Sequence, residues 1–359
     1  MSSDVEAHPS LYLPPSGTPT ITPSPRYEPS PSQTLIRTLY SAINPGDLRH
    51  FHMGMSTFIM GYDFIGTVIT PSSTSSYQPG DILLGMTKPG HQRPLYTGAH
   101  QAYILLEDDR SFVWKCPADL DHIKAVRITS SVLTASDALF NILGFGFKQA
   151  GVDGDDATGE PLLIWGGAGS VGWATVQLAR EAGFSPILVV AGERNHEVLK
   201  EAGATMCFGY GEDVADRIRQ TVSEMGVNLR AVVDAVGVGL GIFEPGDNKV
   251  VYEKSSPALA KRCLSGEEKR LACVLPVLQD SDWTFALYSR RHDEEQVREY
   301  PGWAERQERV VSWVLKHHQR WKAWEGVKIV TRAEEAREAV IGAFEGTLQD
   351  KVVIQHPMQ

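Results

Sequence analysis

The stretch LLIWGGAGSVGWATVQLAREAG, from Leu162 to Gly183, places an apolar run, three spaced glycines and a helix-like pattern in direct succession. Gly167, Gly169 and Gly172 satisfy the spacing GxGxxG, which predicts a tight turn between a buried strand and a helix. Glycines let the backbone approach an anion closely, and the N–H groups at a helix start stabilise negative charge. The stretch therefore predicts a Rossmann-type turn that binds the pyrophosphate of a dinucleotide.

The choice of dinucleotide depends on the end of the following strand. The residues expected nearest the phosphates are Ala168, Gly169, Ser170 and Val171. Twenty residues beyond the last glycine the chain reads Gly192, Glu193, Arg194 and Asn195. A carboxylate at this place binds the ribose 2′-OH of NAD, whereas an arginine favours the 2′-phosphate of NADP. Arg194 can bind that phosphate while Glu193 points outward, so the sequence favours NADPH and leaves NADH open.

The hydrophobic pattern changes near Thr129. Short β-rich runs separated by Pro-Gly, Asn-Pro and Ser-rich turns precede it and predict a small all-β or barrel-like unit. From Leu162 onward strands alternate with amphipathic helices, which predicts a parallel sheet covered by helices. The first thirty-odd residues are rich in Pro, Ser and Thr and predict an extended arm without a regular core element. Residues 237–256 are interpreted as an insertion of undefined shape, and residues 290–321 as a loop leading to a helix.

Composition narrows the functional class. A chain of 359 residues predicts two domains. The net charge of −10 and the lack of a long Lys/Arg run argue against a nucleic-acid partner. No apolar run reaches the roughly 18 residues of a membrane helix, so no membrane partner is predicted and a cytoplasmic location is expected. The four cysteines have neither CxxC nor zinc-ribbon spacing, which indicates free thiols in a reducing compartment.

Several short patterns occur in a characteristic order. They are SAINPGD from Ser41, GYDFIGTV from Gly61, PGD from Pro79, GAHQAY from Gly98 and LTASDAL from Leu133. Together with GGAGSVG and the late DKVVI, this ordered set resembles medium-chain dehydrogenase/reductases. The resemblance implies an α/β fold with a GroES-like β domain, residues 1–129 and 300–359, and a Rossmann domain with a doubly wound parallel sheet, residues 130–299.

The zinc-dependent branch of that family carries an early Cys and a Gly-His-Glu motif, where this chain has Asn44–Asp47 and GYD. His50 and His52, two residues apart in an expected loop, are typical of surface residues. The chain is thus similar to the zinc-independent branch, which includes quinone and enoyl reductases, and no metal is expected. AINPGDLR, GERN, CFGY and SDWTFALYS resemble the fungal trans-acting enoyl reductases of polyketide biosynthesis.

The resemblance also assigns site residues. It places a cofactor-binding group on the nicotinamide side at Gly46, Asp47, Leu48 and Arg49. It places Thr134 at the nicotinamide, Gly192 to Asn195 at the adenosine phosphate, Tyr210 beside the adenine, and Pro276 with Val277 in the nicotinamide pocket. Substrate contacts are assigned to Ala135, Ser136, Leu139 and Phe140.

Arg49 and Tyr62 are the catalytic candidates. Arg49 stands where the group usually has Lys, and an arginine is a poorer proton donor, so it either stabilises an enolate or, as favoured here, binds phosphate. Tyr62 and Tyr103 are candidate hydroxyl donors, although such tyrosines more often pack in a core. The group also usually has an Asp where Gly209 stands, and the insertion after Asp234 has no familiar counterpart.

The resemblance implies an NADPH-dependent trans-acting enoyl reductase of an α,β-unsaturated polyketide thioester in fungal secondary metabolism. An acyl-carrier-protein-bound substrate and a polyketide synthase partner would follow. A free-standing quinone or alkenal reductase, or a catalytically silent NADPH-binding partner of a synthase, are the alternatives. Trp303, Trp313, Trp321 and Trp324 either dock a synthase or, more commonly, pack a helix onto its own domain. Substrate length, stereochemistry, the proton donor and the choice between monomer and homodimer stay open.

Overall fold

A computed structural model of the chain describes residues 7–90, 93–107, 112–241, 251–289 and 299–359. The chain forms two compact units. The first comprises Met1–Thr129 and Ala323–Gln359, and the second comprises Ser130–Lys322. The C-terminal segment therefore belongs to the unit that the chain starts with, as the resemblance implies.

The first unit contains ten of the described strands. They are β1 (His8–Leu13), β2 (Thr20–Ser24), β3 (Gln33–Ala42), β4 (Phe58–Ile59), β5 (Asp63–Thr70), β6 (Ile82–Met86), β7 (Tyr103–Glu107), β8 (Phe112–Lys115), β15 (Val327–Val330) and β16 (Lys351–Gln355). Seven of them form a sheet in the order β15-β16-β3-β5-β6-β8, with β7 also paired to β3, and β2-β1-β4 form a second, antiparallel sheet. The helices of this unit are α1 (Gly46–His52), α2 (His122–Ala125) and α9 (Ala333–Glu345).

The N-terminal segment is more regular than its composition predicts. Leu11 and Leu13 of β1 are fully buried, in a cluster with residues of α9 and β16. The expected arm without a core element is therefore wrong. Apolar residues at alternate positions outweigh the neighbouring Pro and Ser residues, because they supply one inward face of a strand.

The second unit contains a six-stranded parallel sheet. Its strands are β9 (Leu162–Trp165), β10 (Ile187–Val190), β11 (Met206–Phe208), β12 (Ala231–Asp234), β13 (Arg270–Cys273) and β14 (Trp283–Phe285). They lie in the order β11-β10-β9-β12-β13-β14, the doubly wound order of a dinucleotide-binding fold. The predicted α/β class with a Rossmann sheet is confirmed.

Helices connect and cover this sheet. The helices of this part of the chain are α3 (Thr129–Ser136), α4 (Ser170–Ala182), α5 (His196–Ala202), α6 (Val214–Met225), α7 (Ser256–Arg262) and α8 (Trp303–Lys316). Each strand that reads as a continuous apolar run is buried, because helices remove its side chains from water. Parts of the two segments with unusual composition lie outside the described part of the chain, namely residues 242–250 of segment 237–256 and residues 290–298 of segment 290–321.

Helix α8 extends the second unit beyond the expected boundary at residue 300. The buried Gln307 donates through Nε2 to the carbonyl oxygens of Leu133 and Leu287, at 2.9 and 3.2 Å. The Trp313 ring meets Phe147 edge to face, with centroids 4.8 Å apart. Trp303 and Trp313 thus pack their helix onto its own unit, which ends at Lys322 instead of residue 299.

Candidate functional site

The predicted cofactor residues of the second unit follow the carboxyl ends of its strands. Ala168–Val171 follow β9, Gly192–Asn195 follow β10, Tyr210 follows β11, and Pro276 with Val277 follow β13. The order of the sheet reverses between β9 and β12, and ligands of doubly wound sheets bind outside the carboxyl ends at that point. The topology therefore gathers these residues along one edge of the sheet, as a dinucleotide site requires.

The turn after β9 depends on its glycines for different reasons. Gly166 has a φ of +84°, which side-chain-bearing residues rarely adopt, and a Cβ there would overlap Val236. A Cβ on Gly167 would overlap Val189, and one on Gly172 would overlap the Gly166 carbonyl oxygen. These three glycines allow strand, turn and helix to pack closely.

Gly169 is the glycine that the turn itself does not require. Its φ is −73°, and a Cβ built on it lies 3.6 Å from the Gly166 carbonyl oxygen, an ordinary contact. It is the exposed N-cap residue of α4, and as a glycine it has no side chain that could cap the helix. Among the described residues, none accepts a hydrogen bond from the N–H groups of Ser170, Val171 or Gly172. These residues fit a pyrophosphate, because free amides at a helix start bind anions.

The segment after β10 carries the residues predicted to select the nucleotide. Glu193 and Arg194 are exposed in a short 3₁₀ turn. The Glu193 carboxylate lies over Gly209, where a Cβ would be 2.9 Å from its Oε1 atom. The missing Asp at position 209 therefore makes room for Glu193. With that carboxylate held at Gly209, Arg194 is the exposed cation of the turn, and Tyr210 nearby is 56% exposed.

Asp234 supports the same edge and was not identified from the sequence. Asp234 is fully buried at the end of β12. Its Oδ1 atom accepts from the N–H groups of Val236 and Gly237 at 2.9 and 3.0 Å, and its Oδ2 atom accepts from the Ser256 hydroxyl at 2.6 Å. Burial raises the pKa of this carboxyl. The contacts hold Val236 against the turn at Gly166. An acid that ends an apolar strand before Ala-Val-Gly was the available signal.

The helix assigned to the nicotinamide and the substrate is unusual in its second half. Residues Asp137–Ile142 continue α3 as a π-helix, and the Leu143 N–H donates to the Ala138 carbonyl five residues back, at 2.9 Å. The buried Asp137 accepts from Asn141 Nδ2 at 2.8 Å and from the Leu287 N–H at 2.9 Å. Such π segments are frequent at functional sites.

The side chains of this helix point largely into the core. Thr134 is buried and its hydroxyl donates to the Ser130 carbonyl at 2.8 Å. The four substrate candidates Ala135, Ser136, Leu139 and Phe140 are all buried as well. Contacts of these five residues with a ligand stay predictions. Because the five side chains are buried, such contacts would require the side chains to become accessible to the ligand.

In the first unit the predicted nicotinamide-side residues lie on α1. The residues Gly46, Asp47, Leu48 and Arg49 form its first turn, so the expected loop around His50 is a helix. Asp47 is fully buried, and its Oδ2 accepts from the Asn44 N–H at 2.7 Å and from His100 Nε2 at 3.2 Å. Asp47 therefore fixes the start of α1 instead of presenting a carboxylate to solvent.

Tyr62 lies beneath α1 with its side chain 2% exposed. Its hydroxyl hydrogen-bonds His50 Nδ1, and the Arg93 guanidinium lies 4.3 Å from the centre of its ring. Burial raises the pKa of Tyr62 and lowers the pKa of His50 to about 4. The protonated tyrosine therefore donates to the neutral histidine. His50, interpreted as a surface residue from the sequence, is half-buried, whereas the exposed His52 stacks on Phe344.

A second hydrogen-bonded group, which is partly buried, links the segment before α1 to the C-terminal strand. Lys351 Nζ donates to Asn44 Oδ1 at 2.5 Å, and Asn44 Nδ2 donates to Asp63 Oδ2 at 2.8 Å. Burial lowers the pKa of the Lys351 ammonium. Asn, Asp and Lys of three separate sequence patterns thus meet at one place, where the zinc-dependent branch has its Cys and Gly-His-Glu motifs.

Two further properties concern the described residues alone. Within the ranges given above, no group of three or more His, Cys, Asp or Glu side chains is arranged to hold a metal ion. No helix in those same ranges combines the length and the apolar character needed to cross a bilayer.

Comparison with known sequences finds fungal relatives. The chain is 26% identical over 216 residues to trans-enoyl reductase resD of Aspergillus sclerotiorum and 27% identical over 214 residues to trans-enoyl reductase himH of Aspergillus japonicus. Each match covers 57% of this chain, and 60% and 59% of the relatives, so the chain spans about 60% of the length of these proteins. No protein-family model matches. The predicted resemblance to fungal trans-acting enoyl reductases is confirmed.

Solved structures decide the fold. An alcohol dehydrogenase superfamily protein from Novosphingobium aromaticivorans superposes with a TM-score of 0.70 at 18% identity, over 98% of this chain and 99% of that one. The chain has the medium-chain dehydrogenase/reductase fold. The CurK enoyl reductase shares it, with a TM-score of 0.64 at 18% identity over 97% of this chain and 98% of that one.

Proposed function

We propose that the chain is an NADPH-dependent trans-acting enoyl reductase that reduces the C=C bond of an α,β-unsaturated polyketide thioester. The observation that carries the proposal is the turn at Gly169, whose exposed backbone and amides suit a pyrophosphate although the fold does not need a glycine there. The names of the relatives, trans-enoyl reductases of two Aspergillus species, support the reaction class.

The nucleotide would be held by three places on the sheet edge. The amides of Ser170 and Val171 would donate to the pyrophosphate, and the Arg194 guanidinium to the 2′-phosphate of the adenosine. Glu193, drawn toward Gly209, would leave that phosphate unopposed, which supports NADPH over NADH. Tyr210 would cover the adenine, and Pro276 with Val277 would line the nicotinamide pocket.

The bound NADPH would supply a hydride to the β-carbon of the enoyl group. The two electrons lost by the nicotinamide would reduce the C=C bond, and a proton from solvent or a side chain would complete the α-carbon. The chain itself contributes orientation and charge stabilisation of the thioester oxygen, which together account for most of the rate in such reactions. This explains why no Ser/His/Asp or paired-carboxylate pattern appears in the sequence.

Arg49 and Tyr62 are proposed to act on the reacting end. Arg49, on the first turn of α1, would bind a phosphate or the developing enolate charge, since its guanidinium stays protonated. Tyr62 donates a hydrogen bond to His50 Nδ1, so any proton that this pair delivers would leave from the imidazole. The helix Ala135–Phe140 would contribute substrate contacts.

The substrate would arrive on an acyl carrier protein, with a polyketide synthase as the partner. Support comes from the same relatives, whose names describe enzymes acting in trans. The net charge of −10 favours no nucleic-acid partner.

Stopped-flow absorbance at the NADPH band tests the proposal. Purified protein is mixed with NADPH and either an enoyl thioester of N-acetylcysteamine, an enoyl group on its carrier protein, or a small quinone. We expect oxidation with the thioesters, faster on the carrier protein, and slow or absent oxidation with the quinone. Arg49→Lys and Tyr62→Phe, measured beside the native chain, test the two catalytic candidates.

Each other outcome contradicts the proposal in a defined way. Rapid turnover of the quinone alone would indicate a free-standing quinone reductase. Tight NADPH binding without oxidation of any acceptor would indicate a silent partner of a synthase. Equal rates with NADH and NADPH would remove the assignment of Arg194.

A further inference from the structure

Four buried side chains of the first unit form a continuous hydrogen-bonded chain. His356 Nε2 lies 2.8 Å from Ser41 Oγ, Ser41 Oγ lies 2.9 Å from His100 Nδ1, and His100 Nε2 lies 3.2 Å from Asp47 Oδ2. All four are buried. They come from four separate places in the sequence, namely α1, β3, the turn before β7 and the segment after β16. We call this set the His–Ser–His–Asp chain.

The hydrogen bonds of this chain have one consistent direction. A carboxylate only accepts, so His100 donates from Nε2, and in the neutral imidazole Nδ1 then accepts from the Ser41 hydroxyl. The Ser41 oxygen then accepts from His356 Nε2. This leaves His356 Nδ1 without a proton, and that atom has no partner among the described residues. The reverse direction would bury an unpaired N–H at His356, which proteins avoid more strictly than an unpaired acceptor.

Two independent features support this arrangement. Burial lowers the pKa of His356 to about 3, so its imidazole is neutral at physiological pH. Gly61 has a φ of +89°, and a Cβ there would overlap the His100 ring, so the backbone leaves space for that imidazole directly before Tyr62.

A nucleophilic serine is the obvious alternative for Ser, His and Asp in contact. Here the Ser41 side chain is fully buried, and its oxygen is engaged by two histidines. No surface is left for an acyl group. The His–Ser–His–Asp chain therefore stabilises the local structure around it.

What it holds is the first turn of α1. Asp47 Oδ2 is shared between His100 and the Asn44 N–H, so the carboxylate joins Asn44, two residues before α1, to the first turn of the helix. The backbone repeats the link, because the Asp47 N–H donates to the Asn44 carbonyl at 3.0 Å. Arg49 lies on the same turn.

We infer that His356, Ser41 and His100 are positioning residues that fix Asp47 and thereby set the orientation of the helix turn carrying Arg49. The effect on turnover rests on the proposed function, whereas the effect on the helix does not. A segment more than 300 residues away in sequence thus controls the geometry of α1 through three hydrogen bonds.

Three variants of the full chain test the inference, of which Ser41→Ala removes two hydrogen bonds and His356→Leu removes one. Ser41→Ala removes the bridge, and His356→Leu removes the terminal donor while filling the space. His356→Gln restores a donor at nearly the same position and serves as the rescue. Ser10→Ala is the matched control, because Ser10 is equally buried in the same unit and donates to the Thr22 carbonyl at 2.7 Å outside the chain.

The first measurement is amide hydrogen exchange of residues 44–52, which needs no cofactor. Loss of these hydrogen bonds should raise exchange on the order of tenfold in His356→Leu and at least as much in Ser41→Ala, with Ser10→Ala and His356→Gln close to the native protein. Long-range ¹⁵N–¹H spectra should give the Nε2–H tautomer for His100 and His356. Kinetics should give a kcat about tenfold lower for Ser41→Ala than for Ser10→Ala, because the turn that carries Arg49 is proposed to act on the reacting end.

The outcomes separate this inference from the proposed function. Unchanged exchange in both deletion variants, or an Nδ1–H tautomer at His356, would overturn it. Lower thermal stability with unchanged kcat and unchanged exchange would mean that the His–Ser–His–Asp chain is merely structural, and this result would also overturn the inference. If the protein reduced no enoyl thioester at all, the proposed function would fail, while the exchange and tautomer results would still decide the positioning role.

Discussion

Replacing Gly169 by alanine should separate nucleotide binding from folding. The φ of −73° suits any residue, and the new methyl carbon would lie 3.6 Å from the Gly166 carbonyl oxygen. Removing a glycine stabilises the folded state by about 0.4–1 kcal/mol through the unfolded chain. Alanine caps a helix less well than glycine by roughly the same amount. We therefore expect the free energy of unfolding to change by less than about 1 kcal/mol.

The effect on the nucleotide should be much larger. In a GxGxxG turn the second glycine lets the backbone approach the pyrophosphate, so a methyl group at Gly169 would hinder that approach. Loss of one hydrogen bond to a charged group, about 1.5–3 kcal/mol, corresponds to a Kd raised roughly 10- to 150-fold. Isothermal titration calorimetry with NADPH measures this change.

Two further variants make the comparison decisive. Gly172→Ala would place its Cβ against the Gly166 carbonyl and 2.8 Å from Gly167 Cα, so overpacking should lower stability by about 1–3 kcal/mol in urea unfolding. Gly90→Ala, whose Cβ would meet no described residue within 4 Å, should change neither property. A Gly169→Ala protein that folds normally and binds NADPH as tightly as the native chain would refute the placement of the pyrophosphate.

Three other outcomes are expected. Arg194→Ala should weaken NADPH binding about 10- to 100-fold and leave NADH binding unchanged, measured by calorimetry with both nucleotides; an equal loss for both would contradict the 2′-phosphate role. Because burial lowers the folded-state pKa of His356 to about 3 from about 6.5, the unfolded state takes up the proton first as the pH falls. Stability should therefore decrease below pH 6.5 by up to about 1.4 kcal/mol per pH unit until about pH 3, and urea unfolding from pH 7 to 5 should show a shallower decrease in His356→Gln. Gln307→Ala should cost about 1–3 kcal/mol, because the carbonyls of Leu133 and Leu287 lose their buried donor; an unchanged urea midpoint would count against this.

The strands and helices of the second unit could be predicted because each of them is encoded by residues that are neighbours in sequence. Each buried strand is a short apolar run, and each helix is amphipathic over one segment, so neighbouring residues alone determine the element. The glycine spacing then identified the first strand, and the carboxyl ends of β9, β10, β11 and β13 follow from that assignment.

The first unit was less predictable because its contacts are long-range. Leu11 and Leu13 become core residues only when α9 and β16 return to cover them. The meeting of His356 with Ser41 joins residues that no spacing rule connects. The resemblance supplied the return of the C-terminal segment, whereas the composition of the N-terminal arm indicated the opposite of what the structure has.

The helix after Thr129 illustrates a third limit. Its apolar spacing predicts a helix, yet the change to a π-helix at Asp137 depends on a buried carboxylate that accepts from Leu287, 150 residues later. A periodic pattern describes which residues face inward, but it does not register an inserted residue that tertiary hydrogen bonds stabilise.

The pairing of β16 with β3 sets an order for folding during synthesis. β16 is made about 300 residues after β3, which at 5–20 residues per second is a delay of roughly 15–60 s. Throughout that interval Tyr40–Ala42 can pair with β5 on one side, but the side that β16 occupies in the finished sheet has no partner strand. The second unit is synthesised during the same interval. A nascent chain would thus expose a hydrogen-bonding edge for many seconds, and chaperone dependence or aggregation on overexpression is the practical consequence.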